Sequence, residues 1–410
     1  MLGINFIREN PQKVKEACEK KNIKCDVAAV LELDKKKRGL VTEIETLKAE
    51  QNKISRGGKD NNVLMTQAKE IKNKIKALGP ELEKTEKDFD ALLAGFPNIV
   101  ADDVIAGGKE NNKVLRQFGK KPKFAFEPKD HVQLATDLEI IDYERGAKMS
   151  GSGFWVYKGN GAILEWALLN YFIDFHRKNK YTFIIPPFLL KEESAYTSGH
   201  LPKFRDDLYW TQDKLCLNAT AEMMLGNYHR NEILNEDELP LKYFAYSACF
   251  RREAGSYRKE ERGMVRGHQF NKIEMFQFTK PEESWKAFDE LVKNAEKLVD
   301  GLGLRFQSVQ LAAEDMSEAM AKTVDIEVFI PSMETYKEVS SASNALEYQA
   351  RRGNVKYRKN NKNVFLHTLN ASGLATSRLM PAILEQFQQK DGSVKVPKVL
   401  QKHCGFKVIK

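Results

Sequence analysis

The sequence predicts an α+β protein in which a long N-terminal helical hairpin precedes a larger region built on an antiparallel sheet with flanking helices. Three observations carry this. Apolar residues recur at seven-residue spacing through the first hundred positions, a stretch rich in Gly, Asn, Lys and Pro follows, and strand-like and helical runs then mix without regular alternation. A doubly wound parallel fold would alternate them.

Leu33, Leu40, Leu47 and Ile54 lie seven apart, with Ile44 on the interleaved seam beside polar Lys37 and Gln51. That pattern is one amphipathic helix. After RGGKDNN at 56–62, the residues Leu64, Ala68, Ile71, Ile75, Leu78, Leu82, Thr85, Phe89 and Leu92 continue by fours and threes, the stripe of a second helix. Two such helices joined by a short turn bury their stripes against each other only if antiparallel. Too few other helical runs precede residue 120 to cover the pair, so the hairpin is expected to project into solvent. Its KKKR run at 35–38 reads as a solvated face.

The hairpin stops near GFPN at 95–98, and the expected division is a hairpin domain over 1–100, a linker over 101–125 and a second domain over 126–410. In the last, a helical segment at 162–178 joins strand-like runs TFIIPPFLL, YFAYSACF, HQFNKIEMFQF and IEVFIP.

Composition narrows the class. A formal charge of +9 on 410 residues, 30% of them charged, suits a soluble protein that meets a polyanion without proving one. Five cysteines (Cys18, Cys25, Cys216, Cys249, Cys404) form no CxxC pair, so neither a disulfide framework nor a cysteine zinc site is expected, and a reducing compartment is the simplest home. No basic leader and no run of about 18 apolar residues occurs, which gives the expectation of a cytoplasmic chain with no membrane partner.

Residues 250–278, FRREAGSYRKEERGMVRGHQFNKIEMFQF, hold the densest chemistry. Strand periodicity puts Tyr243, Ala245, Ser247, Cys249, Arg251 and Glu253 on one face, and Phe270, Lys272, Glu274 and Phe276 on a face of the next strand. The two faces are expected to line one cavity with a fixed cation, two carboxylates and an aromatic plate, suited to a nucleotide and a zwitterion more than to a lipid or metal. The connection from Ala254 to Gly267 is too long for a tight turn and carries Arg258, Lys259, Arg262 and Arg266. Standing alone, the segment reads first as an edge hairpin with a solvated basic loop.

It does not stand alone. FRxEAGS…RGxxRxHQFxKxEMF resembles motif 2 of class II aminoacyl-tRNA synthetases, in the form carried by seryl-tRNA synthetases. KYTFIIPPFLL resembles motif 1, with Pro187 (less closely Pro186) at the dimer-forming proline. LNASGLATSRLMPAILE resembles motif 3, with Arg378 as its arginine. LNATAEMMLGNYHRNEIL and TYKEVSSASNALEYQARR are similar to that family's serine-binding and ATP/Mg²⁺-binding segments, and the likeness spans essentially the whole chain.

The resemblance implies a class II catalytic domain over 126–410, a tRNA-binding domain with a helical arm over 1–100, and a homodimer. Its implied reaction activates L-serine with ATP to seryl-adenylate and transfers serine to the 3′ end of tRNA(Ser), with tRNA(Sec) left open as a second acceptor. Both steps need charge stabilisation more than a protein nucleophile. Arg251 and Arg378 are the implied catalytic cations, the first at the α-phosphate and the second at the γ-phosphate. Arg378 also sandwiches the adenine with Phe270, and Glu253 accepts from its amino group. The implied ATP set is completed by Arg252, Gly267, Glu338, Val339, Ser340 and Ser341, with Mg²⁺ at Glu338 and Ser341. Thr220, Ala221, Glu222, Arg251, Glu274 and Ser372 form the implied serine pocket. Hydrogen-bonding the serine hydroxyl there rejects alanine, since a buried acceptor is otherwise left unpaired.

The sequence departs from the family pattern at Arg252, at Asn218 and Ala219 before TAE, at Ala342, and at Ala371 and Ser377, which are expected to add side chains beside the ATP site. KMSGS at 148–152 imitates a signature of the unrelated class I synthetases, but no HIGH-type partner exists. A carrier-loading paralogue would have little need of the arm, and an inert scaffold would gain nothing from the charge cluster.

Overall fold

The computed structural model describes residues 1–56, 62–254 and 263–410. The expected turn around 57–61 and the loop residues Arg258, Lys259 and Arg262 lie outside the described residues. The chain divides into two compact units, Met1–Ile99 and Val100–Lys410.

In the first unit two long helices, α1 (Val27–Arg56) and α2 (Asn62–Ala94), pack along each other. Ion pairs Lys36–Glu81 at 2.8 Å and Lys37–Glu86 at 3.2 Å cross between them, and because only five residues separate the two helices in the chain, they can pack along each other only as an antiparallel pair. These exposed pairs fix register more than they stabilise, at about 0–1 kcal/mol each. Leu40, Ile44, Thr85 and Phe89 are buried, as the heptads require. A small core of Ile7, Val14, Val30, Leu93 and Phe96 closes the base of the hairpin. Cys18 and Cys25, expected to be free, are joined in a disulfide with a Cα–Cα distance of 6.2 Å. The chain reverses between them, where the Ile23 N–H donates to the Cys18 carbonyl at 2.9 Å, and so two cysteines remote on an extended chain meet.

The second unit is organised by an eight-stranded sheet. Its strands are β1 (Lys113–Phe118), β2 (Thr182–Ile184), β3 (Leu241–Phe250), β4 (Gln269–Thr279), β5 (Phe306–Gln310), β6 (Lys322–Ile330), β7 (Thr335–Leu346) and β8 (His367–Ala375). The spatial order is β1-β5-β6-β7-β8-β4-β3-β2, antiparallel throughout except for the β2/β3 pair at the edge. β1 corrects one expectation, because residues 113–118 lie inside the stretch read as linker. The stretch KVLRQF shows no clean apolar alternation, since Val114 and Leu115 are adjacent and an edge strand buries little, and the strand is held by pairing to β5.

Helices α3 (Asn160–Lys178), α4 (Ser284–Gly301) and α5 (Thr376–Gln386) cover one face of the sheet. Leu164, Leu168, Phe172, Leu291, Leu298, Leu379 and Ile383 from the helices share a core with Ile273, Met275, Val324, Ile326, Leu369 and Ala371 from the strands. Alternation along each strand sends the intervening residues to the opposite face. These are Lys272 and Glu274 on β4, Thr323 and Asp325 on β6, Ser341 and Ser343 on β7, and Asn370 and Ser372 on β8, all of which line a cavity.

Candidate active site

That cavity measures about 390 Å³ and is lined by Thr220, Glu222, Arg251, Lys272, Glu274, Glu338, Ser341, Ser372 and Arg378 among others. A narrower pocket of about 40 Å³ adjoins it, lined by Phe270, Glu253, Gly267, Val339 and Ser377 and sharing Arg251, Glu338 and Arg378. Most of the residues singled out in the sequence therefore converge on two adjoining recesses.

The register explains the convergence. β3 and β4 pair with Cys249 opposite Phe270, Ser247 opposite Lys272 and Ala245 opposite Glu274. The expected face exists, but its far end serves another purpose: Tyr243, Ala245 and Phe276 belong to a second hydrophobic core. β3 ends at Phe250, so Arg251 leaves the strand, held by a backbone pair in which its N–H donates to the His268 carbonyl at 2.9 Å. The His268 Nδ1–H donates back to the Arg251 carbonyl at 3.0 Å. The Arg251 guanidinium sits 5.2 Å from the Phe270 ring centroid, and its Nε donates to the Ala219 carbonyl at 3.3 Å. A cation beside an aromatic plate makes a wall that can take a base on the ring and an anion on the fork.

Glu253, two residues on, adopts a left-handed backbone at φ 51° and pairs with Arg266 at 2.6 Å. Glycine is essential at 267, because a Cβ there would lie 2.1 Å from the Trp155 ring.

At the other end lies a buried polar cluster. The Lys272 Nζ is 2.6 Å from Glu274 Oε2 and donates to Thr220 Oγ1 at 2.6 Å. The Thr220 hydroxyl lies 3.4 Å and the Ser372 hydroxyl 3.5 Å from the same Glu274 oxygen. Glu222 accepts from Gln349 Nε2 at 2.7 Å and from Asn370 Nδ2. Burial, and then the charge of Glu274, push its carboxyl up to about 7. His200 closes a further wall, its pKa taken down to about 3 by burial and by the charges of Arg251 and Lys272, so its ring is neutral near pH 7.

Glu338 and Ser341 stand three apart on β7, a spacing that in a regular strand would put them on opposite faces. A β-bulge at this point, where Ile326 pairs with Ser340 and Glu327 with Glu338, leaves Val339 as the extra residue and turns both side chains into the cavity. Burial raises the Glu338 carboxyl, but Arg378, Arg251 and Lys272 outweigh it and hold it below its ordinary value. Arg378 donates to the Glu338 carbonyl at 2.8 Å and stands 3.3 Å from its carboxylate. Burial and the Glu338 charge push the neighbouring Asp325 well above the ordinary aspartate value.

Four expected contributors line neither recess. Arg252 is exposed and lines neither recess, Ala221 packs in the second core, and the Ser340 hydroxyl donates to the Ser372 carbonyl at 2.6 Å, tying β7 to β8. Ala371, expected beside ATP, is fully buried in the main core opposite Ala342, because alternation turns it away from Asn370 and Ser372. Ser377 does line the narrow recess. Lys272 falls on the expected face although the sequence assigns it no role, Asn370 lines the cavity two residues before Ser372, and Gln349, in a short helix (Tyr348–Arg352), carries no sequence signal.

The comparisons with known proteins decide the family. The seryl-tRNA synthetase N-terminal domain model matches residues 1–100, and the model of the class II tRNA synthetase core domain (G, H, P, S and T) matches 203–387. A curated relative, "Serine--tRNA ligase 2" of Clostridium acetobutylicum, is 54% identical over 421 residues, covering 99% of each chain. The chain belongs to the seryl-tRNA synthetase family. The serine–tRNA ligase of Caldicellulosiruptor bescii is 46% identical with full coverage of both chains. Among solved structures, the seryl-tRNA synthetase of Pyrococcus horikoshii complexed with ATP superposes with a TM-score of 0.93 at 35% identity, covering 100% of this chain and 99% of that one. The enzyme is thus a class II serine–tRNA ligase that uses ATP to activate serine and charges tRNA with it. Among the described residues, no helix is long and apolar enough to cross a membrane.

Proposed function

We propose that seryl-adenylate forms around Arg251, with serine in the polar cluster of the larger recess and adenine in the narrower one. The observation that carries this reading is the position of Arg251 itself, between the buried Glu274–Lys272–Thr220 cluster and the Phe270 ring. Serine's carboxylate attacks the α-phosphate, the bond from the α-phosphorus to the bridging oxygen breaks to release pyrophosphate, and Arg251 neutralises charge as it builds there. Arg378 holds the γ-phosphate and covers the adenine on the side away from Phe270. Glu274 and Thr220 receive the serine ammonium, and Glu222 with Ser372 completes the pocket around the hydroxyl. Glu253 exchanges part of its bond with Arg266 for the adenine amino group.

Glu338 and Ser341 fit a hard cation, since the bulge turns a carboxylate and a hydroxyl into the same recess. Among the described residues no three His, Cys, Asp or Glu side chains are arranged to hold a metal, so Mg²⁺ would take its other ligands from ATP and water. It would supply neutralisation of the phosphate oxygens. Glu338→Gln should raise the Mg²⁺ concentration needed for half-maximal serine-dependent ATP/pyrophosphate exchange about tenfold. An unchanged Mg²⁺ dependence would contradict the assignment.

The unit over 1–99 serves tRNA binding, and the enzyme works in the cytoplasm as a homodimer. Ile163 and Trp166 on α3, with Ile185 and Leu189 beside edge strand β2, are exposed by 43%, 55%, 70% and 47%, an apolar patch suited to a second copy. Light scattering should give a dimer that Trp166→Glu weakens.

A further inference from the structure

One buried carboxylate takes no part in the reaction described above. Glu165 lies on α3, is 2% exposed, and sits among core residues. Its Oε1 accepts from Asn271 Nδ2 at 2.8 Å and from Thr376 Oγ1 at 2.6 Å. The Thr376 hydroxyl is also 3.1 Å from the Asn271 carbonyl, and the Tyr246 hydroxyl donates to Asn271 Oδ1 at 3.1 Å. Glu165 Oε2 is buried without a hydrogen-bond partner among the described residues. Burial pushes the carboxyl up to about 7, against the hydrogen bonds from Thr376 and Asn271. Tyr157, raised well above its ordinary value by burial and by Glu165, stays neutral, and so does Tyr246.

Such a group destabilises the fold relative to an apolar side chain of similar size. Its partners show where it acts. Asn271 lies between Phe270 and Lys272 on β4, and Thr376 opens α5 two residues before Arg378. A single oxygen therefore bridges the strand that carries the adenine plate to the helix turn that carries the facing arginine. Ala375, at the cap position of α5, makes no side-chain capping bond, so the Thr376 hydroxyl is the side-chain tie at the start of the helix.

We infer that Glu165 is a positioning residue for ATP: through Asn271 and Thr376 it sets the spacing between Phe270 and Arg378. This rests on assigning those two residues to the nucleotide. Loosening the bridge widens the recess for the base while the Glu274–Lys272–Thr220 cluster, whose bonds run among its own members, keeps them. The consequence is selective. A residue needed only for folding would weaken both substrates together.

The test compares Thr376→Val, which keeps the shape and removes the hydroxyl, with Thr376→Ser, which restores it, and Glu165→Leu with Glu165→Gln, which keeps one acceptor oxygen. Calorimetry of ATP and serine binding is measured for each, with circular dichroism melting to verify folding. Thr376→Val and Glu165→Leu should weaken ATP about tenfold and serine less than about twofold, and Thr376→Ser and Glu165→Gln should recover most of the loss. Unchanged ATP affinity in Thr376→Val, or equal weakening of both ligands, overturns the inference. If Glu165→Leu does not fold, the threonine pair still decides. Arg378→Ala is the control: if it also leaves ATP binding intact, the nucleotide assignment falls, whereas if only Arg378→Ala weakens ATP, the positioning role alone falls.

Discussion

Glu274→Gln separates a binding role from a structural one. The carboxylate is 2% exposed, lies 2.6 Å from the Lys272 ammonium, and is within 3.5 Å of the Thr220 and Ser372 hydroxyls. Neutralising it leaves Lys272 charged and buried without its partner, which costs about 3–5 kcal/mol of folding stability. A unit of this size has an unfolding entropy of roughly 0.65 kcal/mol/K, so the melting temperature should fall by about 5–8 °C. In the proposed arrangement the site also loses its ionic acceptor for the serine ammonium, about 1.5–3 kcal/mol, or roughly 10- to 100-fold in affinity. ATP, which the proposed arrangement places on Phe270 and Arg378, should bind nearly as before. Adding Lys272→Met removes the orphaned charge, so the double variant should recover stability without recovering serine affinity. Calorimetry with each ligand and a thermal melt read all of this. Serine affinity that survives in Glu274→Gln, or that returns together with stability in the double variant, would refute the reasoning.

Three further outcomes follow from the same geometry. Replacing residues 36–85 by a short Gly/Ser link removes the hairpin above the Ile7–Val14–Val30–Leu93–Phe96 core, so serine activation should persist while aminoacylation of tRNA(Ser) falls steeply; undiminished charging would show that the arm serves something else. His176, fully buried, has its pKa taken down to about 3 mainly by burial, so the unfolded chain binds a proton below about 6.5 that the folded chain refuses. Its contribution is intact above that pH and is lost as pH falls, at about 1.4 kcal/mol per unit. Going from pH 7 to pH 5, His176→Leu should lose about 2 kcal/mol less in urea unfolding than the parent, and an identical loss would contradict the sign. Gly373→Ala would place a methyl 2.4 Å from the His176 ring and should disturb β8, measured as a lower melting temperature and weaker serine binding.

The parts legible in the sequence are those governed by a period. The heptads gave both long helices and their antiparallel pairing, and strand alternation put Lys272 and Glu274 on one face with Ile273 and Met275 on the other. Where the period breaks, reading failed or needed the family likeness. Glu338 and Ser341 face one cavity only through the bulge at Val339, and no propensity signals a bulge. Ala371 was misassigned because it neighbours two cavity residues, yet alternation sends it into the core. β1 was missed because an edge strand buries too little to show a pattern. The Cys18–Cys25 pairing depends on a chain reversal that spacing does not encode. Gln349 reaches Glu222 from a helix 127 residues away in the chain, a contact that only the fold creates.

Arg251, where the two recesses meet, is proposed to carry the activation step. Serine-dependent ATP/pyrophosphate exchange by Arg251→Ala, with folding verified by its melting curve, tests it most directly. Removing a charge aimed at the transition state should lower exchange by about 100-fold or more while the variant stays folded. Exchange at the parent's rate in the folded variant would contradict the claim.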